Sequence, residues 1–124
     1  MRRIFLALAI CAAPIVAQAE QATIEGSWSG SGTISTKGAV DQVRCRVRNT
    51  RAAGKTFTVS SVCATENGHY DITGQVTNSG GNRYTGSVSS GNETGRVLLF
   101  LRGNSLSVTV ISPRGSARLM LSRR

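Results

Sequence analysis

Apolar and polar residues alternate along two neighbouring segments of the chain, Gln42–Arg48 and Thr56–Cys63. A repeat of two is typical of a strand with one buried side, and Asn49–Lys55 supplies polar and glycine residues for a turn between the segments. The sequence therefore predicts an antiparallel hairpin. If Cys45 lies opposite Cys63 on the apolar side, the centre of the hairpin falls at Ala53–Gly54, within this turn.

The same alternation, interrupted by turns rich in Gly and Asn, predicts six further strands: Ser27–Ile34, His69–Val76, Arg83–Ser90, Thr94–Arg102, Ser105–Ile111 and Ser116–Ser122. No stretch combines a 3.6-residue apolar period with helix caps, so we expect essentially no helix. Eight sequential strands joined by short turns favour an all-β fold, a small eight-stranded antiparallel up-and-down barrel with one disulfide, because closure removes the open sheet edges. A β-sandwich is the alternative.

Four aromatic residues lie on the apolar side of the predicted strands and are expected in the barrel interior: Trp28, Phe57, Tyr70 and Tyr84. Trp28 should plug one end of the barrel. Several glycines share this side, where they would permit close approach or strong coiling of the strands: Gly30, Gly32, Gly74, Gly86 and Gly95. An interior of this kind is either filled by side chains or holds one small, neutral and apolar ligand.

The alternation also allows the opposite sense, in which the apolar side faces lipid. That arrangement would pack arginines such as Arg44, Arg83 and Arg96 into a narrow lumen with too few acids to pair with them. The predicted strands are also short for a membrane span. We therefore expect the apolar side to face inward and the protein not to span a membrane.

The start of the chain resembles an export signal. Arg2 and Arg3 precede the largely apolar stretch Ile4–Val16, and Ala17-Gln18-Ala19 fits a cleavage site before Glu20. The alternative, lipidation at Cys11, is disfavoured by the isoleucine that precedes this cysteine. These features predict a cleaved signal peptide at residues 1–19, a flexible leader at 20–26 and a single barrel domain at 27–124. The expected location is periplasmic or secreted.

Two of the three cysteines would remain after cleavage, Cys45 and Cys63. An even pair in an oxidising compartment is most simply a disulfide. On the chain-entropy model, closing a loop of this length stabilises the fold by roughly 3 kcal/mol.

The charge balance is strongly basic, with 15 Lys and Arg against 6 Asp and Glu and a net charge of +9. Loss of Arg2 and Arg3 with the signal peptide would lower the net charge to +7, since all six acids are retained. Three arginines, Arg44, Arg46 and Arg48, alternate along one strand and should project to the same side. Such a row favours anionic partners such as lipid head groups or acidic polysaccharide. A solvated surface with no partner is the alternative.

Candidate catalytic and metal-binding residues are sparse. His69 is the only histidine, and with Glu66 and Asp71 it offers too few nitrogen or sulfur ligands for zinc. No serine lies in a nucleophile-elbow pattern, and no buried acid–base pair is predicted. Nucleic acid is disfavoured because the aromatic residues, apart from Phe100, are predicted to face inward. We therefore expect neither an enzyme nor a cofactor or metal.

Several short motifs carry a family resemblance. Gly26–Gly32, Val43–Val47, Cys63-Ala64 and Ser112–Gly115 resemble a group of small exported proteins of alphaproteobacteria. More distantly, the signal peptide, early tryptophan, disulfide and barrel are similar to the periplasmic inhibitors of secreted metalloproteases. That similarity implies that Glu20–Glu25 enters a protease cleft.

Three functions follow as hypotheses for a non-enzymatic, exported and monomeric binding protein. The first is that the arginine row contacts anionic envelope lipid or polysaccharide. The second is inhibition of a secreted protease through the leader. The third is transport of a small apolar ligand inside the barrel.

Overall fold

The computed structural model describes residues 22–124. The predicted signal peptide (1–19) and the first two residues of the predicted leader, Glu20 and Gln21, lie outside the described residues. The eight strands are β1 (Gly26–Thr36), β2 (Ala39–Ala53), β3 (Thr56–Thr65), β4 (Gly68–Gly80), β5 (Arg83–Ser90), β6 (Glu93–Arg102), β7 (Ser105–Ser112) and β8 (Gly115–Arg123).

Each strand pairs antiparallel with its neighbours along the chain, and β1 also pairs with β8, so that the sheet closes on itself. The predicted all-β up-and-down barrel is confirmed, and the β-sandwich alternative is wrong. The apolar side of each strand faces inward, where two adjoining clusters of buried residues form the core. In the described part of the chain, no helix is long and apolar enough to cross a membrane.

The hairpin of β2 and β3 has the predicted register. Cys45 lies opposite Cys63, and a disulfide joins them across a Cα–Cα distance of 4.1 Å. The predicted turn at Asn49–Lys55 is too long, because β2 continues to Ala53 and only residues 54 and 55 connect it to β3. A bulge between Arg51 and Ala53 absorbs the change in register at the end of the hairpin.

The up-and-down topology gives the barrel two different ends. The turns after β2, β4 and β6 lie at one end together with the start of β1 and the end of β8. We call this the closed end, because large buried side chains converge there: Ile24, Trp28, Phe57, Tyr84, Leu106 and Leu121. The turns after β1, β3, β5 and β7 form the opposite end, which we call the open end.

Closure of the barrel places glycines at two seams. A Cβ added to Gly30 or Gly32 in β1 would overlap main-chain carbonyl oxygens of β8. A Cβ added to Gly74 in β4 or Gly86 in β5 would overlap a carbonyl oxygen of the other strand. At Gly95 the neighbours are farther away, at 3.1 Å. The first four glycines therefore permit the close strand approach that the sequence predicted.

We expect Gly32→Ala to lower the free energy of unfolding by about 1–3 kcal/mol, because the added methyl group forces β1 and β8 apart. Thermal or urea unfolding of the purified protein measures this change. Ser31→Ala, on the exposed side of the same strand, is the matched control and should leave stability within about 0.5 kcal/mol. Equal stability of the two variants would show that the seam tolerates a side chain.

Candidate ligand-binding site

A cavity of about 430 Å³ opens at the open end of the barrel. Its deeper wall is apolar and comes from inward-facing residues of several strands: Val43, Cys45, Cys63, Ile72, Val110 and Leu119. These positions alternate with exposed residues along each strand, so the two-residue repeat of the sequence is what turns them toward the cavity.

A second, inner cavity of about 60 Å³ lies deeper in the barrel. Both cavities share part of their lining: Cys45, Cys63, Ile72, Val88, Val110 and Leu119. The disulfide therefore contributes to the boundary between them. Two polar side chains, Asn49 and Ser61, also line the inner cavity, and the Ser61 Oγ lies 3.4 Å from the Cys63 Sγ.

Charged residues occur only around the rim of the open cavity, among the described residues that line either cavity. Arg114 pairs with Glu93 across an Nε–Oε1 distance of 2.9 Å, and Asp41 lies on the same rim. Both partners of the ion pair are exposed, so it contributes at most about 1 kcal/mol. The chemistry of the site therefore changes from charged and polar at the rim to apolar in the interior.

Ile24, Trp28 and Asn49 fill the closed end and are joined by hydrogen bonds; we call these three residues the plug. The carbonyl oxygen of Ile24 accepts hydrogen bonds from Trp28 Nε1 at 2.8 Å and from Asn49 Nδ2 at 3.0 Å. The Ile24 side chain and the Trp28 ring are both fully buried. Because the atom of Asn49 that faces this carbonyl must be the donor, the orientation of its amide group is fixed.

Asn49 is the one buried side chain of residues 22–124 that keeps an unpaired polar atom. The residue is only 2% exposed, and its Oδ1 has no hydrogen-bond partner. Leaving a buried acceptor unpaired costs about 1–3 kcal/mol. Such atoms are rare in native proteins and call for a specific explanation.

Arg123, in β8, contacts the plug residue Trp28 and the main chain on either side of Ile24. Its guanidinium group donates hydrogen bonds to the carbonyl oxygens of Thr23 at 2.8 Å and Glu25 at 2.9 Å. The same group lies over the Trp28 ring, 4.2 Å from the ring centroid, in a cation–π contact. Thr23–Glu25, which the sequence assigned to a flexible leader, thus contacts the barrel in this structure.

The four aromatic residues predicted inside the barrel occupy two environments. Trp28, Phe57 and Tyr84 are buried at the closed end, where the rings of Phe57 and Tyr84 meet edge to face at 5.7 Å. Tyr70 also belongs to the inward-facing set, but it lies on the rim of the open cavity and is 41% exposed. The alternation along β4 determines which face of the sheet Tyr70 occupies. Its exposure depends instead on how close it lies to the end of the strand.

Sequence reasoning missed Asn49, because it placed this residue in a turn. The alternation along β2 could have identified it, because Asn49 continues the inward-facing series of Val43, Cys45 and Val47. Ile24 was missed as well. It is a single apolar residue between polar neighbours, and one residue cannot establish a repeat.

Arg44, Arg46 and Arg48 are all exposed on the outer face of β2. They pair with serines of β1 on one side and with Ala64, Val62 and Ser60 of β3 on the other. The one salt bridge within residues 22–124 is that of Arg114 at the rim. The arginine row therefore has no carboxylate within salt-bridge distance in the described part of the chain.

His69 is exposed on β4. Among residues 22–124, no group of three His, Cys, Asp or Glu side chains is placed to hold a metal ion.

The comparisons with known proteins extend the description of the fold. No family model matches the chain, and no curated protein matches its sequence. The chain is similar to a solved redesigned beta barrel, mFAP1, bound to DFHBI, with a TM-score of 0.67, 10% identity and coverage of 81% of this chain and 94% of that chain. It is also similar to EF1p2_mFAP2b bound to DFHBI, with a TM-score of 0.71, 9% identity and coverage of 81% and 93%.

A natural protein shares the architecture too. The structure of Rv2717c from M. tuberculosis matches with a TM-score of 0.54 at 11% identity, and covers 81% of this chain and 92% of that chain. At these identities the likeness shows a common closed barrel fold and nothing about activity.

We expect Ile24→Ala to lower the free energy of unfolding by about 2–5 kcal/mol, because it removes a fully buried side chain from the plug. Chemical denaturation followed by Trp28 fluorescence measures the change. Glu25→Gln is the control, since its amide oxygen still accepts from the Arg51 main-chain nitrogen. A free energy of unfolding for Ile24→Ala equal to that of the control would show that the buried Ile24 side chain contributes no stability.

Proposed function

We propose that this protein is a non-enzymatic carrier that binds a small, neutral and largely apolar ligand in the open cavity. The observation that carries the proposal is an accessible cavity of about 430 Å³ with an apolar wall, placed inside a closed barrel. Ligand sites in proteins commonly have volumes of about 300–1,000 Å³ and combine apolar walls with a few polar groups.

The distribution of charge supports a neutral ligand body. Charged side chains among the described lining residues are confined to the rim, where Arg114 is already paired with Glu93. An ionised group carried into the apolar interior would lose its hydration without gaining a counter-charge. A charged group could therefore be tolerated only at the rim.

The solved neighbours support the proposal through their fold. The redesigned barrel mFAP1 was solved bound to DFHBI, so a barrel of this fold holds a small molecule. The disulfide supports an oxidising location, periplasmic or secreted, for the carrier.

Filling the cavity should weaken binding of an apolar probe. Ala117 lines the open cavity, so Ala117→Trp should weaken binding of the neutral dye Nile red at least tenfold, as followed by dye fluorescence. Thr58→Trp adds the same ring to the exposed face of β3 and is the matched control. Equal dye binding by both variants would place the dye outside the barrel and count against the carrier.

Native mass spectrometry provides the second arm of this test. Protein purified from its source organism should carry an exchangeable small molecule that Ala117→Trp lacks. A clean apo mass for the unmodified protein would contradict a carrier role.

A second candidate function rests on the arginine row. Arg44, Arg46 and Arg48 recur about every 7 Å along β2, and like charges at this spacing repel one another. The fold gains nothing from the row, whereas the planar guanidinium group suits phosphate and carboxylate. We infer that the row binds anionic envelope lipid or polysaccharide. Inhibition of a protease through residues 20–25 stays a prediction.

Replacing Arg44, Arg46 and Arg48 together by serine should weaken binding to phosphatidylglycerol vesicles or an acidic polysaccharide about a hundredfold at low salt. The estimate takes about 1 kcal/mol for each basic residue near an anionic surface. Sedimentation with vesicles and retention on the immobilised polysaccharide measure it, and both should fall steeply as salt rises.

The control is a second triple variant, with serine in place of the exposed Arg83, Arg96 and Arg118 on other strands. It loses the same net charge but leaves the row intact. If both variants bind equally, attraction follows total charge and the row is a solvated surface.

A further inference from the structure

We propose that Asn49 anchors the inner end of the ligand, and that this end carries a hydrogen-bond donor such as a hydroxyl group. The inference rests on the proposed carrier function and names the class of ligand: an elongated apolar molecule with a terminal alcohol. Its donor would pair with the Asn49 Oδ1.

The amide group of Asn49 has one hydrogen-bonded atom and one unpaired atom. Its Nδ2 donates to the carbonyl oxygen of Ile24 in the plug, which fixes the orientation of the amide. Its Oδ1 is buried without a hydrogen-bond partner, while the residue lines the inner cavity. Since buried acceptors in native proteins are almost always paired, this atom identifies a place where a donor is expected.

The inner cavity suits the end of a chain. Its volume of about 60 Å³ is larger than the roughly 10–15 Å³ needed to hold one water molecule, so it has room for a small terminal group. Its remaining wall is apolar apart from Ser61, whose hydroxyl can donate or accept. A hydroxyl group at the end of an alkyl chain satisfies both the size and the polarity of this wall.

The distance from the rim requires an elongated molecule. Asp41 and Asn49 both face inward from β2, and the strand separates them by about 27 Å at about 3.4 Å per residue. With the usual strand tilt, this corresponds to about 20 Å along the barrel axis. A ligand that fills the open cavity and reaches Asn49 is therefore a chain rather than a compact body.

The chemistry of Asn49 also excludes a class of ligand at the inner end. A carboxylate there would set its oxygens against the Oδ1 with no cation among the described lining residues of the inner cavity. A ketone or an ether would place its own acceptor oxygen against the Oδ1, and two acceptors cannot form a hydrogen bond. A donor is the complementary group.

The test compares two probes of similar shape, 1-decanol and 1-fluorodecane, of which only the alcohol has a donor. Both should displace Nile red from the wild-type protein. In ¹H–¹⁵N spectra, the side-chain amide resonances of Asn49 should shift with decanol and not with fluorodecane. Asn49→Leu should weaken decanol binding roughly tenfold, the loss of one buried hydrogen bond, and should not weaken fluorodecane binding.

Ser61→Ala is the matched control, since it also removes a polar group from the inner cavity but keeps the Asn49 Oδ1. Ser61→Ala should lower the ratio of decanol affinity to fluorodecane affinity by less than Asn49→Leu does. If Asn49→Leu does not fold, the wild-type spectra with the two probes decide the question alone.

The outcomes separate the two proposals. If both probes displace the dye but affect Asn49 alike, the anchor is wrong and the carrier function stands. If the dye binds inside the barrel but neither probe displaces it, the interior does not accept an alkyl chain, and the anchor is wrong while the carrier function stands. If the dye does not bind inside the barrel, both proposals fail.

Discussion

The close approach of strands at two glycine seams is the constraint on which the rest of this barrel depends. Eight strands must turn through a full circle, and the seams between β1 and β8 and between β4 and β5 lie on opposite sides of it. Side chains at Gly32 or Gly86 would collide with the main chain of the neighbouring strand. Glycines also add no volume to the interior. The residues that permit closure therefore leave room inside the closed barrel as well.

The interior divides along the barrel axis because large and small side chains are unevenly distributed. Trp28, Phe57 and Tyr84 fill the closed end, while the opposite end is lined by smaller residues and a disulfide. Packing at the closed end stabilises the fold, and the open end keeps a cavity. The outer surface is independent of both, since the arginine row lies on the opposite face of β2 from the cavity wall.

The two-residue repeat was sufficient to predict the strands and their inward side, because side-chain direction in a strand depends on parity alone. The pairing of Cys45 with Cys63 also required the position of the turn and the even number of cysteines left after cleavage. The repeat was not sufficient to predict how deep a residue lies along the barrel axis, or how much of the interior the side chains fill. Tyr70 has the inward parity and still lies at the rim, and the cavity exists because the inward side chains of several strands fall short of one another. Asn49 was misplaced because polar residues near a glycine suggest a turn, whereas its burial depends on a distant partner, the Ile24 carbonyl.

The hydrogen bonds of Arg123 to Thr23 and Glu25 have a kinetic consequence. Its hydrogen bonds join residues 98 and 100 positions apart, whereas the disulfide joins residues 18 apart. Contacts between distant residues form slowly, because closing the long loop between them costs chain entropy before the contact stabilises the fold. We expect the local hairpins to assemble first and the β1–β8 seam last. Trp28, which lies against that seam, would report the step in stopped-flow refolding as a fluorescence change later than strand formation. Until the last strand is made, the chain exposes two open sheet edges and its only tryptophan, so the interval before closure is when it is most vulnerable to aggregation.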